Sequence, residues 1–370
     1  MNQDLIQEEK PYWVALSTHP KIGARTLLKL YKRFKQLSSV WQAKIIDLKE
    51  VGLDSAQAEA VLEVVAKVDL KREMNKLDRF GIKVLIFPEK SYPQLLKEIS
   101  DPPAILYIRG ELLPGDELAI GVVGSRKYTN YGEQATEKIV GPLAKKKITI
   151  ISGLALGIDT LAHKAALDSG GRTIGVLGCG LDQIYPVSNV RLADQIIQGR
   201  GAVISEFPLG TPAYRSNFPM RNRIIAGLSI GTLVIEGAIQ SGSLITARAA
   251  LDYNREVFAV PGSIFSESSE GPNRLIQMGA KSVLDANDIL LELNIDQVLG
   301  EKEAQIIIAD SPNEEILLKL LERPMLVDEL IFASKLPSPL VNTTLIMLEM
   351  KGVVSNLGGT RYQIRGKLGK

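Results

Sequence analysis

From about residue 118 the chain alternates short, almost continuous apolar runs with glycine turns and stretches of helical period. The runs are Leu118–Val123, Ile148–Ser152, Thr173–Gly178, Ala202–Ser205, Thr232–Ile235 and Glu256–Val260. Between them, Tyr131–Lys145 and Ile158–Asp168 read as helices. Unbroken apolarity, as at Ile120, Val122 and Val123 or Leu233, Val234 and Ile235, is what a parallel strand covered on both faces requires. The alternation predicts an α/β fold built on a doubly wound, mostly parallel sheet.

The pattern differs on either side of this region. Residues 1–72 carry amphipathic helical runs broken by the turns His19-Pro20-Lys21-Ile22-Gly23 and Val51-Gly52-Leu53, which predicts a small helical domain. Glycines in such turns can bring backbone amides to a phosphate, as in helix-hairpin-helix modules, but no dense basic face accompanies both turns. Helix termination is the simpler role for Gly23 and Gly52. The sheet domain is assigned to 73–298, with an irregular, proline-punctuated lead-in over residues 80 to 117. A linker follows at 299–312. Residues 313–370 show three amphipathic stretches and then Gly358-Gly359 before Arg361-Tyr362-Gln363-Ile364, an order that predicts a winged-helix-like domain. Its would-be recognition helix, Pro339 to Lys351, offers only Lys351 as a base, so protein contact or a plain structural role is favoured over reading of a DNA groove.

Composition narrows the function classes. The 370 residues are 45% hydrophobic and 23% charged, and Lys plus Arg exceed Asp plus Glu by only 44 to 42. Affinity for a polyanion must then come from local clustering, not from the field of the whole molecule. A single cysteine, Cys179, excludes an internal disulfide and a multi-cysteine zinc site, and fits a cytoplasmic location. The polar first ten residues and the lack of a long apolar stretch predict neither a signal peptide nor a membrane span. Two histidines, His19 and His163, with no metal-ligand spacing speak against a zinc or triad enzyme. His163 reads as a packed helix residue and Cys179 as a small core residue. No catalytic residue, metal or cofactor is expected.

The local clustering is found between Phe207 and Arg223, where Arg215, Arg221 and Arg223 are interleaved with Phe207, Tyr214 and Phe218 and no carboxylate intervenes. Guanidinium forks attract phosphates and aromatic faces stack on unpaired bases, a combination suited to single-stranded nucleic acid. Such an Arg run can also be a solvated cap on a core helix. Two glycine turns shift the balance toward an anion site. Gly124-Ser125-Arg126 follows the first strand, with Arg126 as a fixed charge, and Ser152-Gly153-Leu154-Ala155-Leu156-Gly157-Ile158-Asp159 follows the second, with Asp159 placed to cap the helix bearing His163 and Lys164. Turns at the carboxyl ends of neighbouring strands share one crevice. The first is not a dinucleotide fingerprint, since Arg126 stands where the third glycine would be. The candidate nucleic-acid contacts are Gly124, Ser125, Arg126, Ser152, Gly153, Lys164, Arg215, Phe218, Arg221, Asn222 and Arg223.

An enzymatic alternative rests on Gly231-Thr232-Leu233-Val234-Ile235-Glu236, which resembles the Gly-Thr and following Glu of the lysine-decarboxylase-like nucleotide phosphoribohydrolases. Ser229-Ile230 replaces the Pro-Gly of that motif, leaving its phosphate cradle incomplete. Glu236 is then expected to orient Arg223 or Ser241 as a structural ion pair or hydrogen bond.

A longer set of motifs is similar to the DNA-processing protein A family, also called Smf. It comprises Gly124-Ser125-Arg126, the run Ser152 to Asp159, Tyr185-Pro186 with Asn189, Ser205-Glu206, the run Asn217 to Leu228, the run Ser241 to Ala247, Val260-Pro261-Gly262, and Gly271, Asn273, Leu275-Ile276 and Gly279-Ala280. The resemblance covers residues 80 to 290 firmly and both ends more loosely. It implies an extended Rossmann-like domain whose pocket takes the backbone and a base of single-stranded DNA, a homodimer formed through that domain, and help in loading the RecA recombinase during natural transformation. Arg126 matches the Arg of the family's Gly-Ser-Arg motif. Arg215 with Phe218 matches a basic residue followed three positions later by an aromatic, with Arg in place of the usual Lys.

Overall fold

The structure is a computed structural model that describes residues 3–199, 201–295, 306–307, 309–321, 323–351, 353–356, 358–364 and 367–368. All six expected apolar runs are strands of one nine-stranded sheet. Its members are β1 (Lys83–Ile86), β2 (Ile105–Gly110), β3 (Ala119–Val123), β4 (Thr149–Ser152), β5 (Thr173–Leu177), β6 (Ala202–Ser205), β7 (Gly231–Val234), β8 (Glu256–Ala259) and β9 (Lys281–Ser282). The spatial order is β1-β2-β6-β5-β4-β3-β7-β8-β9. From β6 across to β9 every pairing is parallel, while β1–β2 and β2–β6 are antiparallel.

The expected irregular lead-in is thus partly regular. Pro88, Pro93, Pro102 and Pro103 punctuate the segment so densely that the short runs Lys83–Ile86 and Ile105–Gly110 do not stand out, yet the prolines fall between them and leave both ladders intact. Along β2 the side chains alternate between two cores, Ile105 and Tyr107 on one face and Leu106 and Ile108 on the other.

The α-helices before residue 293 are α1 (Gln3–Ser17), α2 (Ala24–Phe34), α3 (Ile45–Glu50), α4 (Ser55–Lys67), α5 (Leu70–Arg79), α6 (Gln94–Lys97), α7 (Asn130–Lys145), α8 (Ile158–Asp168), α9 (Val190–Gly199), α10 (Asn217–Leu228), α11 (Gly242–Asp252), α12 (Glu267–Gln277) and α13 (Ala286–Glu292). No break in packing falls at residue 72. Residues 1–288 form one compact unit, in which Trp13, Leu16 and Leu27 share a core with Tyr107, Leu177 and Val203 of the sheet. The seam is fixed by a hydrogen bond of 2.7 Å between the Ser17 and Tyr107 hydroxyls and by the Lys10–Glu89 ion pair at 3.2 Å. Each large apolar side chain buried there is worth roughly 1.5–3 kcal/mol relative to exposure, so burial against the sheet helps hold the helices in place. The opposite face is covered by α10 and α11 through Ile224, Ile225, Ala247 and Ala250.

The chain lays β3, β4, β5 and β6 outward in one direction and then returns to place β7, β8 and β9 on the other side of β3. The loops leaving β3 and β7 consequently diverge. A crevice opens at such a switch point outside the carboxyl ends of the strands, where open α/β sheets bind ligands.

The second unit spans residues 289–370. Helices Pro312–Leu320, Val327–Ser334 and Ser338–Met350 enclose Leu317, Leu330, Val341, Leu345 and Leu348. Strands Val354–Asn356 and Arg361–Ile364 pair across the Gly358-Gly359 turn, where φ is +95° and +61°, giving the helices-then-hairpin order expected of a winged helix. Lys351 is committed to Asp310 at 2.7 Å and Glu314 at 2.6 Å, and these acids raise its pKa. Of the expected linker, residues 299–305 and 308 lie outside the described residues, and Ile306–Ile307 pairs with Lys367–Leu368 as a short parallel ladder.

Candidate nucleic-acid interface

The loops after β3 and β4 are locked together by their glycines. The amide of Ile158 donates to the Ser125 carbonyl at 3.1 Å. Gly157 lies at φ +84°, and a Cβ there would meet the Ser125 oxygen at 2.1 Å; a Cβ on Gly124 would meet Ile158 at 2.6 Å. Ser152 is fully buried, and its hydroxyl ties β4 to β3 by donating to the Val122 carbonyl at 2.7 Å. Ser152, Gly157 and Ile158 shape the crevice from behind, while Gly124 and Ser125 line it.

Asp159 behaves differently from its expected role. It sits inside the first turn of α8, and its Oδ2 accepts from the Gly153 amide at 3.1 Å and the Ala155 amide at 3.4 Å, so it braces the loop and does not cap the helix. Burial raises its pKa and the nearby Arg221 pulls it back. Arg221 itself is 4% exposed. Its Nη1 donates to the carbonyls of Gly153 and Val176, and its Nε donates to Asn222 Oδ1 at 3.0 Å. A Cβ on Gly153 would meet this guanidinium at 2.5 Å, so that glycine makes room for an arginine and not for an anion. Burial lowers the Arg221 pKa and Asp159 opposes the shift. Its positive charge lies beneath the crevice.

Arg126 is exposed above it. Its Cζ lies 5.3 Å from the ring centroid of Phe218, and the Cζ of Arg221 lies 5.9 Å from the same centroid. Tyr185 packs on that ring at 5.8 Å with the planes tilted by 35°. Phe218 therefore stands half-buried with two cations within 6 Å of its ring, at the start of α10, held there by Asn217, whose amide donates to the Gly178 carbonyl at 3.0 Å. Asn222 reaches across from α10 to the Gly242 carbonyl at 3.3 Å. That contact brings the amino end of α11 to the cavity, with Ser241 as its N-cap, and adds the positive end of a helix dipole to the site. The space enclosed is about 420 Å³.

Gly124, Ser125, Arg126, Phe218, Arg221 and Asn222 line this one cavity. Ser152 and Gly153 support it from below. Arg215 is exposed just ahead of α10, and Lys164 is exposed on α8; neither lines the cavity. Arg223 is turned the other way: its side chain is 10% exposed and pairs with Glu206, with Asp101 at 3.5 Å from its Nε. Burial raises the Glu206 pKa and the Arg223 charge lowers it. The acids that hold Arg223 lie outside the stretch in which it stands, which is why a carboxylate-free run of sequence gave no sign of them. Ser241, Gly242, Ser243 and Thr246 line the cavity too and were not among the expected contacts. Their signal was present, a serine N-cap opening a helix directly after the strand at the switch point.

Glu236 orients neither Arg223 nor Ser241. It is 1% exposed, and its carboxylate accepts from the Thr129 amide at 3.0 Å, the Thr129 hydroxyl at 2.5 Å and the Ser268 hydroxyl at 3.2 Å. Thr129 is the N-cap of α7, so Glu236 anchors a helix start. His163 is fully buried with Nδ1 2.6 Å from the Thr173 hydroxyl, and burial pushes its pKa down to about 3. Burial pushes the Cys179 thiol up to about 11. No group of metal-ligating side chains occurs among the described residues. A larger cavity, about 790 Å³, lies among Gly110, Lys145, Thr149 and Arg172 at the amino ends of the central strands, away from the end where such sheets bind ligands.

The model of the DNA recombination-mediator protein A family matches residues 83–294. The chain belongs to that family. A second model, of the DprA winged helix domain, matches residues 301–360. Protein Smf of Synechocystis is 35% identical over 98% of this chain and all of its own length. The crystal structure of DNA processing protein A from Streptococcus pneumoniae aligns at a TM-score of 0.65 with 36% identity, covering 76% of this chain and 96% of that one. DNA processing protein A from Helicobacter pylori, whose structure is described as showing a unique single-stranded DNA binding mode, aligns at 0.53 with 30% identity over 59% of this chain and 97% of that one.

Proposed function

We propose that this protein binds single-stranded DNA without regard to sequence, protects incoming DNA and helps load the RecA recombinase during natural transformation. The observation that carries the reading is the juxtaposition of the exposed Arg126 guanidinium, the Phe218 ring and the amino end of α11 around one cavity at the switch point. A phosphate is met by Arg126 and by helix amides, and an aromatic face is offered to a base. Arg215 adds an exposed charge just ahead of α10. The relatives support the reading through family membership and through the single-stranded DNA binding ascribed to the Helicobacter protein.

The mode of action is binding, with no catalytic step and no cofactor. Glu236, the residue a phosphoribohydrolase would need, has its carboxylate consumed by Thr129 and Ser268, which disfavours that alternative. We place the protein in the cytoplasm; among the described residues no helix is long and apolar enough to cross a membrane. We also infer a homodimer formed through the Rossmann-like domain, consistent with the neighbouring Ile264 and Phe265, which are 81% and 94% exposed. The test is equilibrium binding of labelled oligonucleotides by the parent, Arg126→Ala and Arg215→Ala proteins across a salt series. Each variant is expected to bind more weakly with a salt slope lower by about 0.7. Unchanged affinity and slope in both would remove the proposed site.

A further inference from the structure

The first turn of α10 is the shared wall of two concavities. Phe218, Pro219, Arg221 and Asn222 face the cavity already described, while Asn217 and Met220 line a second one of about 340 Å³. The far wall of the second is the turn between α1 and α2, with His19, Pro20 and Gly23, and its near wall includes Phe207 and Tyr214. The Gly23 turn and the arginine-aromatic segment, far apart in sequence, thus face each other across a groove.

Its chemistry matches that of a strand. Tyr214 is 58% exposed and Met220 47% exposed, so flat and soft apolar surface is available at the lip. Lys21 and Arg25 are exposed beside Gly23, Arg215 is exposed beside Tyr214, and none of the three is ion-paired among the described residues. The acid within the groove, Glu206, is already neutralised by Arg223. The first turn of α2 holds no acidic side chain, and Arg25 stands in it against the helix dipole, an arrangement that an anion would relieve.

We propose that this groove holds a second segment of the same single strand: nucleic acid leaving the Phe218 cavity crosses the start of α10, places its next phosphates against Lys21 and Arg25, and lays a base on Tyr214. The proposal rests on the reading of the Phe218 cavity as a single-strand site. It gives the N-terminal helices a share of the binding surface, and the common core holds them in fixed position relative to the sheet.

The experiment uses the full chain and labelled oligothymidylates from roughly 4 to roughly 16 nucleotides, the span of site sizes for a strand-tracking groove. The parent is compared with K21E/R25E, the charge-retaining K21R/R25K, and R126A. The expected result is that K21E/R25E binds the shortest oligonucleotides like the parent but loses affinity several-fold for the longest, with a salt slope lower there by about 0.7 per lost contact. K21R/R25K restores the long-strand affinity. If K21E/R25E follows the parent at every length while R126A loses binding, the groove is not part of the path and the cavity reading stands. Equal loss at every length in K21E/R25E also overturns the proposal, because it reports a general field and not a second segment. Undiminished binding of the short strands by R126A removes the cavity reading itself.

Discussion

Arg223 is held by Glu206 and Asp101 with a tenth of its side chain exposed, so removing its charge strands a buried carboxylate. Breaking such a pair by deleting one partner costs about 3–5 kcal/mol. Arg223→Met is therefore expected to lower the urea midpoint sharply; a loss near zero would mean the pair is effectively solvated. Arg126 lies on the surface and has no such buried partner, so its removal is expected to leave stability unchanged. His163 provides a pH signature. Its folded pKa of about 3 lies below the unfolded value of 6.5, so stability is complete above pH 6.5 and falls as pH drops toward 3, while the unfolded chain takes up a proton that the folded chain refuses. The slope from this one group reaches at most about 1.4 kcal/mol per pH unit. His163→Gln should flatten the acid limb of the stability profile by that amount, and an unchanged limb would show that His163 is not its source. The sequence made the residue types legible, including Arg126 and Phe218. It could not show which arginines face inward, because Asp101, Glu206 and the Gly153 and Val176 carbonyls reach them only through the fold.

Elements were legible where one period dominated. The central strands and α8 are found where continuous apolarity and helical spacing put them. The antiparallel strands β1 and β2 were hidden by proline punctuation, and the edge strand β9 consists of two residues. Helix starts carry more of the site than the pattern revealed. The start of α7 is pinned by Thr129 and Glu236, that of α10 carries Phe218, and that of α11 opens on the cavity. The start of α8 depends on Gly157, whose φ of +84° and contact with Ser125 leave no room for a side chain. Gly157→Ala is expected to cost at least about 1–3 kcal/mol of backbone strain and to disturb the loop bearing Arg126, lowering both stability and strand affinity. Gly52 has a similar φ of +83° with nothing within 4 Å, so Gly52→Ala should pay the strain alone and leave binding intact. Equal effects of the two on binding would refute the interlocked-loop account.

For the whole molecule, the near balance of 44 basic and 42 acidic residues means that affinity for a polyanion must come from local clustering. The domain order read from the sequence follows the chain, but packing merges the N-terminal helices with the sheet into residues 1–288, a fusion visible only once Trp13 and Leu16 are seen against Tyr107. In the C-terminal unit Lys351, the base expected on the would-be recognition helix, is paired with Asp310 and Glu314. If the proposed homodimer uses the exposed Ile264 and Phe265, Phe265→Glu shifts sedimentation from dimer to monomer; an unchanged dimer would place the contact elsewhere. The central claim is that the Arg126–Phe218 cavity holds an unpaired strand. Its most direct test is binding of a labelled single strand and of the duplex of the same length, by the parent and by Arg126→Ala, at matched salt. The account predicts that the parent prefers the single strand and that Arg126→Ala loses most of that preference; a preference for duplex, or a single-strand affinity indifferent to Arg126, would contradict it.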